Sequence, residues 1–269
     1  MYKMKNSCII GYTGFIGGYL ARQIKSKNLY NTKNIVNISK KNYDIVYCCA
    51  PSSAMWIAKK NPIEDFLNIS NLIKNFKNIK TKKFILISTI EVYKKKNFCD
   101  ENSSDFSNDV YSYGYNRYLI EEAAKKIFKN LLIVRLPIVY GLGVKKNIIF
   151  DLKNNNNLDL LNLNDSLQFY PVEMLLKDLR LALKYGVSNI NLCSEPIKVK
   201  NLLKFCLIAP IVDNPLNRSR KRTYNMRSVY SYIWKNNKYT YKKDFILKDI
   251  KKFIYNENRN FKFSLVKKR

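Results

Sequence analysis

The sequence predicts an α/β fold, a doubly wound parallel sheet with a small C-terminal lobe, on three observations. Short apolar segments alternate with amphipathic ones over roughly the first 140 residues, as strands and helices do in such folds. Several of the apolar segments have no polar face, which is typical of parallel strands covered on both sides. Four of the eight glycines fall within residues 11–18, where the first strand passes into the first helix.

The predicted elements follow one another in a regular order. Residues 7–10 predict a strand, and the next helix places Ile16, Leu20 and Ile24 on one face. A second strand at 43–49 precedes a helix at 63–77, whose predicted inward positions are Ile63, Phe66, Ile73 and Phe76. The core continues with a strand at 83–88, a helix at 116–129 and a strand at 131–136. Beyond residue 150 the pattern loosens to a helix at 172–185, a strand at 189–193 and a final helix at 244–254, with Phe245, Ile246, Ile250 and Phe253 on one side.

The chain is strongly basic, with a formal net charge of +29 from 49 Lys and Arg against 20 Asp and Glu. Lysine and asparagine are spread along the whole chain, so we interpret the charge as a compositional preference rather than a nucleic-acid interface. A basic cluster at 218–222 is the local exception. No run of about 18 apolar residues is present, and glycines interrupt the N-terminal stretch that otherwise resembles a signal peptide. These observations predict a cytoplasmic protein with neither nucleic acid nor a membrane among its partners.

The chain contains no histidine and six cysteines. The absence of histidine excludes catalytic triads that use an imidazole base. The cysteines have no metal-ligand spacing, and four of them lie in apolar runs. We therefore expect reduced, buried thiols and no metal site.

The glycine cluster has the spacing Gly11-x-x-Gly14-x-x-Gly17 between an apolar strand and an amphipathic helix. Glycine permits a tight turn and lets backbone N–H groups approach a ligand closely. The N-terminus of the following helix adds partial positive charge, which suits a pyrophosphate. In this context the spacing predicts a Rossmann-type dinucleotide site rather than a purely structural turn.

Six segments, taken in order, resemble the extended short-chain dehydrogenase/reductase family, which includes nucleotide-sugar epimerases and dehydratases. They are GYTGFIGG (11–18), ISTIEVY (87–93), YGYNRYLIEE (113–122), VRLPIVYGLG (134–143), FYPVEMLLKDL (169–179) and INLCSEPIKVKNLL (190–203). Each segment alone is a weak signal. Their shared order and spacing, over about three-quarters of the chain, carry the resemblance.

The resemblance implies an NAD(P)-binding Rossmann domain at residues 1–150, completed by about 172–195, and a smaller substrate-binding region at 151–171 and 196–269. It implies that NAD or NADP is the cofactor. Beyond the three glycines, the implied cofactor contacts are Thr13, Phe15, Ile16, Ala50, Tyr113, Arg117 and Pro137. Hydride transfer at the nicotinamide would be accompanied by proton transfer at Tyr113, assisted by the hydroxyl of Thr89 and the positive charge of Arg117.

Two positions depart from the family's pattern. The family usually has lysine where this chain has Arg117. Arginine still lowers the pKa of a nearby phenol, but it does not release a proton, and it meets a ribose with a different geometry. Dehydratases of the family have an acidic pair after the threonine, whereas this chain has Ile90 and Glu91. Glu91 stays a catalytic candidate, and the alternative is that it is simply a solvated residue at the end of a strand. The missing acidic partner disfavours dehydration.

Cofactor preference and substrate binding depend on charged side chains. The segment between Lys25 and Lys41 has no Asp or Glu to bind a ribose 2′-hydroxyl, and Lys33 could accept a 2′-phosphate, which favours NADP. For a nucleotide diphosphate we predict binding by cations that follow residue 144. These candidates are Lys145, Lys146, Arg218, Arg222 and Arg227. Family members often dimerise, so a homodimer is an open alternative.

The leading hypothesis is an NAD(P)-dependent epimerase or reductase that acts on a nucleotide-activated sugar. An alternative, suggested by Arg117 and by the missing acidic residue, is a non-catalytic dinucleotide-binding sensor or scaffold. A third, suggested by charge alone, is a nucleic-acid-binding protein. The sequence leaves open the sugar, the nucleotide and the choice among epimerisation, reduction and dehydration.

Overall fold

The computed structural model describes residues 6–208 and 221–256. Its strands are β1 (Ser7–Ile10), β2 (Asn28–Tyr30), β3 (Asn42–Cys48), β4 (Lys80–Thr89), β5 (Leu131–Leu136), β6 (Ile138–Tyr140), β7 (Ser166–Leu167), β8 (Phe169–Pro171), β9 (Asn189–Asn191) and β10 (Ile197–Lys198). Its α-helices are α1 (Phe15–Ile24), α2 (Met55–Lys60), α3 (Pro62–Phe76), α4 (Tyr113–Ile127), α5 (Ile148–Asn154), α6 (Leu175–Lys184), α7 (Val199–Cys206) and α8 (Lys243–Ile254).

The central sheet has six strands in the order β2-β1-β3-β4-β5-β9, and every neighbouring pair is parallel. The predicted doubly wound parallel sheet is therefore confirmed. The chain order reverses at β1, which has β2 on one side and β3 on the other. In open α/β sheets, ligands bind beyond the carboxyl ends of the strands at such a reversal. The glycine turn directly follows β1.

The sheet is apolar because both of its faces are covered. Every residue of β1 and of β5 is buried, and neighbouring residues of a strand belong to different cores. One core contains Ile9 and Val134, together with residues of the C-terminal lobe. The other contains Cys8 and Ile133, together with residues of α3 and α4. Alternation of side chains across a strand produces this division.

The polar core residue Arg135 lies on β5 and is fully buried. Its guanidinium donates to both carboxylate oxygens of Glu121 on α4, with a shortest distance of 2.6 Å, and to the Tyr93 hydroxyl at 2.6 Å. Ser88 donates to the same carboxylate at 2.5 Å. Each charge thus has a partner, which a buried ion pair requires. The pair fixes α4 against the sheet.

Beyond β5 the chain forms two small strand pairings outside the central sheet. β6 pairs parallel with β8, and β7 pairs antiparallel with β10. The buried Asp178 of α6 accepts hydrogen bonds from Tyr170, Tyr241 and Trp234 at 2.6–2.8 Å. These donors come from three parts of the lobe, so Asp178 holds the lobe's segments together.

Several element boundaries differ from the prediction. β2 and α2 had not been predicted, and α4 begins at Tyr113 rather than at 116. Ile63 was predicted to face inward on α3, but its side chain is 62% exposed. Phe245, predicted on the apolar side of α8, is 38% exposed. These corrections move Tyr113 from a loop to the first turn of a helix, where its backbone position is fixed.

The six cysteines are free and none is classed as exposed. Burial raises the pKa of Cys48 to about 12 and that of Cys206 to about 11. These two thiols are therefore protonated at neutral pH and inert as nucleophiles. Within residues 6–208 and 221–256, no helix is long and apolar enough to cross a membrane.

Candidate functional site

The glycine turn after β1 is held by close backbone packing. Gly11 has a φ of +83°, and a Cβ atom there would lie 2.6 Å from the Cα of Ala50, which follows β3. A Cβ on Gly17 would lie 2.1 Å from the carbonyl oxygen of Gly11. The first turn of α1 therefore rests directly on the loop before it. Only glycine permits this approach.

Gly14, by contrast, is exposed and leaves room for a side chain. It precedes α1, it is exposed, and the nearest atom to a Cβ placed there is 3.4 Å away. No side chain caps the N-terminus of α1, and its first turn has no acidic residue. Thr13 is exposed beside Gly14, and Phe15 and Ile16 are half-buried in the first turn. A helix N-terminus that has no side-chain cap and that adjoins a residue without a side chain fits the diphosphate of a dinucleotide.

The loop after β2 forms the side of this turn where the second ribose of a dinucleotide is expected. Asn31 follows β2, and its amide nitrogen is 3.4 Å from the Tyr12 hydroxyl. Its side-chain oxygen accepts from the backbone N–H of Lys33 at 2.9 Å. The Lys33 side chain is exposed. A neutral amide therefore stands where NAD-specific sites place a carboxylate, about 20 residues after the first glycine.

The first turn of α4, which begins at Tyr113, lies against the loop that follows Thr89 at the carboxyl end of β4. Thr89 ends that strand, and its hydroxyl accepts from the backbone N–H of Glu91 at 3.2 Å. A Cβ on Gly114 would lie 2.2 Å from the carbonyl oxygen of Glu91, so the first turn of α4 contacts this loop directly. Ser112 caps α4 by accepting from the N–H of Tyr115 at 3.2 Å. This backbone contact places the start of α4, which carries Tyr113, beside the loop that follows Thr89.

Arg117 lies one turn further along α4 and is only 1% exposed. Its guanidinium carbon lies 4.2 Å from the centre of the Tyr113 ring. Both terminal nitrogens donate to the Asp65 carboxylate of α3, at 2.6 and 2.8 Å, and Nη2 also donates to the carbonyl oxygen of Ser52 at 2.6 Å. Burial opposes ionisation of Asp65, but the hydrogen bonds and charge of Arg117 outweigh it and hold the Asp65 pKa below its usual value.

The acidity of Tyr113 reflects opposing influences. Burial raises its pKa above the usual value, Arg117 lowers it, and the negative charges of Glu91 and Asp65 raise it again. The net direction is upward, so Tyr113 carries its proton at neutral pH. A phenol in this state is suited to donate a proton, and accepting one depends on the positive charge of Arg117.

Glu91 is engaged with the C-terminal lobe. One carboxylate oxygen accepts from the Tyr224 hydroxyl at 2.6 Å, and the other lies 3.3 Å from the Lys96 ammonium. The side chain is only partly exposed. Glu91 therefore connects the loop after β4 to the segment that follows residue 220. Its predicted catalytic role stays a prediction, because both of its oxygens have protein partners.

The predicted substrate-binding cations do not share one environment. Lys145 and Lys146 are exposed, whereas Arg222 forms an ion pair of 2.6 Å with the buried carboxylate of Asp165. Arg227 stacks over Phe98 at 4.5 Å, and its buried Nε has no hydrogen-bond partner among the described residues. Arg218 lies outside the described residues. Pro137, a predicted cofactor contact, directly follows β5 and is half-buried.

Sequence reasoning missed two functional partners, Asp65 and Tyr224. A signal for Asp65 existed, because an arginine on the inner face of a helix needs a carboxylate partner. The first turn of α3 offered Glu64 and Asp65. No local signal identifies Tyr224, since it reaches Glu91 from a position 133 residues away in the chain.

Solved structures with the same fold include nucleotide-sugar enzymes. A UDP-N-acetylglucosamine 4-epimerase from Methanobrevibacter ruminantium has a TM-score of 0.73 and 15% identity, with 94% of this chain and 98% of that one covered. A dTDP-4-dehydrorhamnose reductase from Yersinia enterocolitica has a TM-score of 0.69 and 16% identity, with 93% and 99% covered. A UDP-glucuronic acid 4-epimerase from Bacillus cereus, in complex with NAD, has a TM-score of 0.61 and 16% identity, with 93% and 96% covered.

No protein-family model matches the sequence, and no curated protein is similar to it. At these identities, the structural likeness establishes the fold. The chain has the fold of the extended short-chain dehydrogenase/reductases, a Rossmann-type sheet with a smaller C-terminal lobe, along nearly its whole length.

Proposed function

We propose that this protein is an NAD(P)-dependent enzyme that acts on a nucleotide-activated sugar, as an epimerase or a reductase. One observation carries the proposal: the uncapped glycine turn and the Thr89–Tyr113 pair occupy the same edge of the sheet. The turn follows β1, Ala50 follows β3 and Thr89 ends β4, and these three strands are neighbours. Strands two positions apart in a sheet lie about 10 Å apart, a distance that a dinucleotide spans.

The residues at this edge have separate tasks in the proposed reaction. Backbone N–H groups around Gly14 would bind the diphosphate, with Thr13, Phe15 and Ile16 in contact. When bound, the nicotinamide cofactor supplies the hydride acceptor or donor. Tyr113 would move a proton at its phenolic oxygen, and the Thr89 hydroxyl would hydrogen-bond the same substrate oxygen. Two structures of this fold carry NAD and NADPH respectively, which supports either cofactor.

A nucleotide sugar as substrate is supported by the fold relatives, whose names specify UDP- and dTDP-linked sugars. We assign the diphosphate of the substrate to Lys145, Arg222 and Arg227, and keep Arg218, outside the described residues, as a further candidate from the sequence. Arg227 is the strongest candidate among the described residues, because its Nε is buried without a partner and its guanidinium is already oriented by Phe98. A bidentate contact from arginine suits a phosphate.

A second candidate function is a dinucleotide-binding sensor or scaffold without turnover. The observation in its favour is Arg117, whose terminal nitrogens donate to Asp65 and Ser52 and whose side chain is buried. These contacts use three of the five N–H donors of Arg117, so fewer are left for a ribose. Binding of NAD(P) without turnover of any nucleotide sugar would favour this candidate over the enzyme.

The direct test is to purify the protein, denature it and identify any released nucleotide by mass spectrometry, then to assay UDP- and dTDP-sugars with added NAD and NADPH. Retained NAD with interconversion of sugar epimers would identify an epimerase. An empty protein that oxidises NADPH in the presence of a keto-sugar would identify a reductase. Failure to bind either dinucleotide at millimolar concentration would contradict the proposal.

Replacing Gly14 with Ala tests the dinucleotide site itself. The fold accepts this methyl group, because its nearest neighbour would be 3.4 Å away, and the expected loss of stability is about 1 kcal/mol or less. The methyl group would occupy the space needed by a diphosphate, so we expect NAD(P) affinity to fall by about tenfold or more. Calorimetric titration measures the affinity. Gln23→Ala, at an exposed position of the same helix, is the matched control, and equal affinity in both variants would contradict the assignment.

Replacing Asn31 with Asp tests cofactor preference. An aspartate keeps the side-chain oxygen that accepts from the N–H of Lys33, but it adds a negative charge where a 2′-phosphate would lie. Repulsion at such a site is worth about 1.4 kcal/mol, so NADP affinity should fall about tenfold while NAD affinity is maintained or increased. Parallel titrations with the two cofactors measure the ratio. An unchanged ratio would show that this loop does not contact the second ribose.

A further inference from the structure

We propose that Asp65 is a positioning residue for the acid–base group: its carboxylate holds Arg117 over the Tyr113 ring and offsets the charge that Arg117 brings to the phenol. This inference rests on the proposed function only in giving Tyr113 a catalytic task. Asp65 belongs to α3 and contributes no atom to the glycine turn or to the Thr89 hydroxyl. Its influence on the reaction would come from how it holds Arg117 and from its own negative charge near Tyr113.

The geometry of the ion pair leaves Arg117 little freedom. Two nitrogens donate to the two oxygens of one carboxylate, and Nη2 is also held by the carbonyl oxygen of Ser52. Asn116 donates to the same carboxylate at 2.8 Å and so fixes the orientation of Asp65. A planar guanidinium held at three acceptors cannot rotate away from the Tyr113 ring. The position of the guanidinium over the ring is therefore fixed from α3.

The same contacts use three of the five N–H donors of Arg117. Both terminal nitrogens donate to protein acceptors, and the buried Nε has no partner among the described residues. The side chain is 1% exposed and its guanidinium carbon lies 4.2 Å from the centre of the Tyr113 ring, so its charge acts directly on the phenol.

The charges that face Tyr113 come from three elements. Arg117 lies on its own helix, Asp65 on α3, and Glu91 on the turn after β4. Arg117 favours the phenolate, and the two carboxylates oppose it. Removing the charge of Asp65 while keeping its shape would leave the positive charge of Arg117 less compensated beside the phenol. The pKa of Tyr113 should then fall, because an unbalanced cation stabilises the phenolate.

The test is Asp65→Asn, with the Tyr113 titration followed directly. Protein labelled with ¹³C at the tyrosine Cζ gives one resonance for each phenol, and Tyr113→Phe identifies the relevant one. We expect the Tyr113 pKa to fall by about one unit in Asp65→Asn and to stay near the native value in Asp65→Glu, which restores the charge. If a nucleotide sugar is turned over, the tyrosine-dependent limb of the kcat/KM profile should move to lower pH by the same amount.

Two further variants keep the result interpretable. Glu121→Gln also breaks a buried ion pair of α4, but its partner is Arg135 of β5 and neither residue is among the charges that act on Tyr113, so it should reduce stability without moving the Tyr113 titration. If Asp65→Asn does not fold, Asp65→Ser removes the same charge with a smaller side chain and carries the same expectation. An unchanged Tyr113 pKa in a folded, charge-removed variant overturns the proposal. A lowered pKa without turnover on any sugar would support it while contradicting the enzymatic function.

Discussion

Replacing Tyr113 with Phe should lower turnover of the nucleotide sugar by about 10²–10⁴-fold, the range that general acid–base catalysis contributes. The change removes one oxygen atom from the first residue of α4 and keeps the ring under the Arg117 guanidinium. Contacts at the glycine turn are untouched, so affinity for NAD(P) should stay within about twofold, well under 1 kcal/mol. A loss confined to kcat would identify the hydroxyl as a group used in the transition state.

Tyr115→Phe is the matched control for this prediction. Tyr115 lies on the same helical turn, is half-buried, and has no role in the proposed reaction. Steady-state kinetics and calorimetric titration of both variants separate catalysis from binding. Native turnover in Tyr113→Phe, or an equal loss in both variants, would remove Tyr113 from the mechanism and favour the sensor or scaffold.

Replacing Glu121 with Gln should reduce the free energy of unfolding by about 3–5 kcal/mol, because it leaves the buried Arg135 without a counter-charge. The side chains of this pair are 1% and 0% exposed, and Ser88, which donates to the Glu121 carboxylate, would also lose a charged partner. For a chain of this size the change corresponds to a fall in Tm of about 10 °C. Thermal and urea unfolding followed by circular dichroism measure both quantities.

The neighbouring Glu122 supplies the control for this second prediction. It pairs with Lys125 at 2.8 Å, but both side chains are more than one-third exposed. Glu122→Gln should therefore change stability by about 0.5 kcal/mol or less. Equal effects at the two positions would mean that the buried pair contributes no more than a solvated one, contrary to its hydrogen-bonding pattern.

The sheet was predictable because its strands are buried on both faces. Continuous apolar runs gave β1, β3, β4 and β5 to within three residues of their observed ends, and the glycine spacing located the turn after β1. The order of the matching segments also indicated the fold that the solved structures share. Strong local patterns of this kind reflect strict packing, so a single sequence reveals them.

The weaker elements depend on partners that the sequence does not display. β2 is only Asn28–Tyr30 and pairs with β1 alone, as an edge strand. Two of its three residues, Asn28 and Leu29, are only half-buried, so no apolar run marks the segment as a strand. The strand forms because it pairs with β1. The start of α4 was missed because Tyr113 and Gly114 are weak helix formers, while the cap that begins the helix is Ser112.

For the buried ion pair of the candidate site, the sequence indicated Arg117 but not its partner. Arg117 stood out because of its spacing from Tyr113, but its environment depends on Asp65, which is 52 residues away in the chain. On α3, the helix that carries Asp65, Ile63 was expected to face inward. In the structure Asp65 is buried and Ile63 is exposed. Binary apolar patterning assigns the wrong face when a helix buries a carboxylate for an ion pair.

The use of arginine at the two buried ion pairs has a practical consequence for handling this protein. Lysine greatly outnumbers arginine in the chain, yet both cations exposed by 1% or less among the described residues, Arg117 and Arg135, are arginine. Amine-directed reagents, such as those used for reductive methylation or acetylation, do not react with guanidinium groups. Such treatment would modify the lysine-rich exterior, and acetylation would reduce its net charge, while the ion pairs that anchor α4 stay chemically intact.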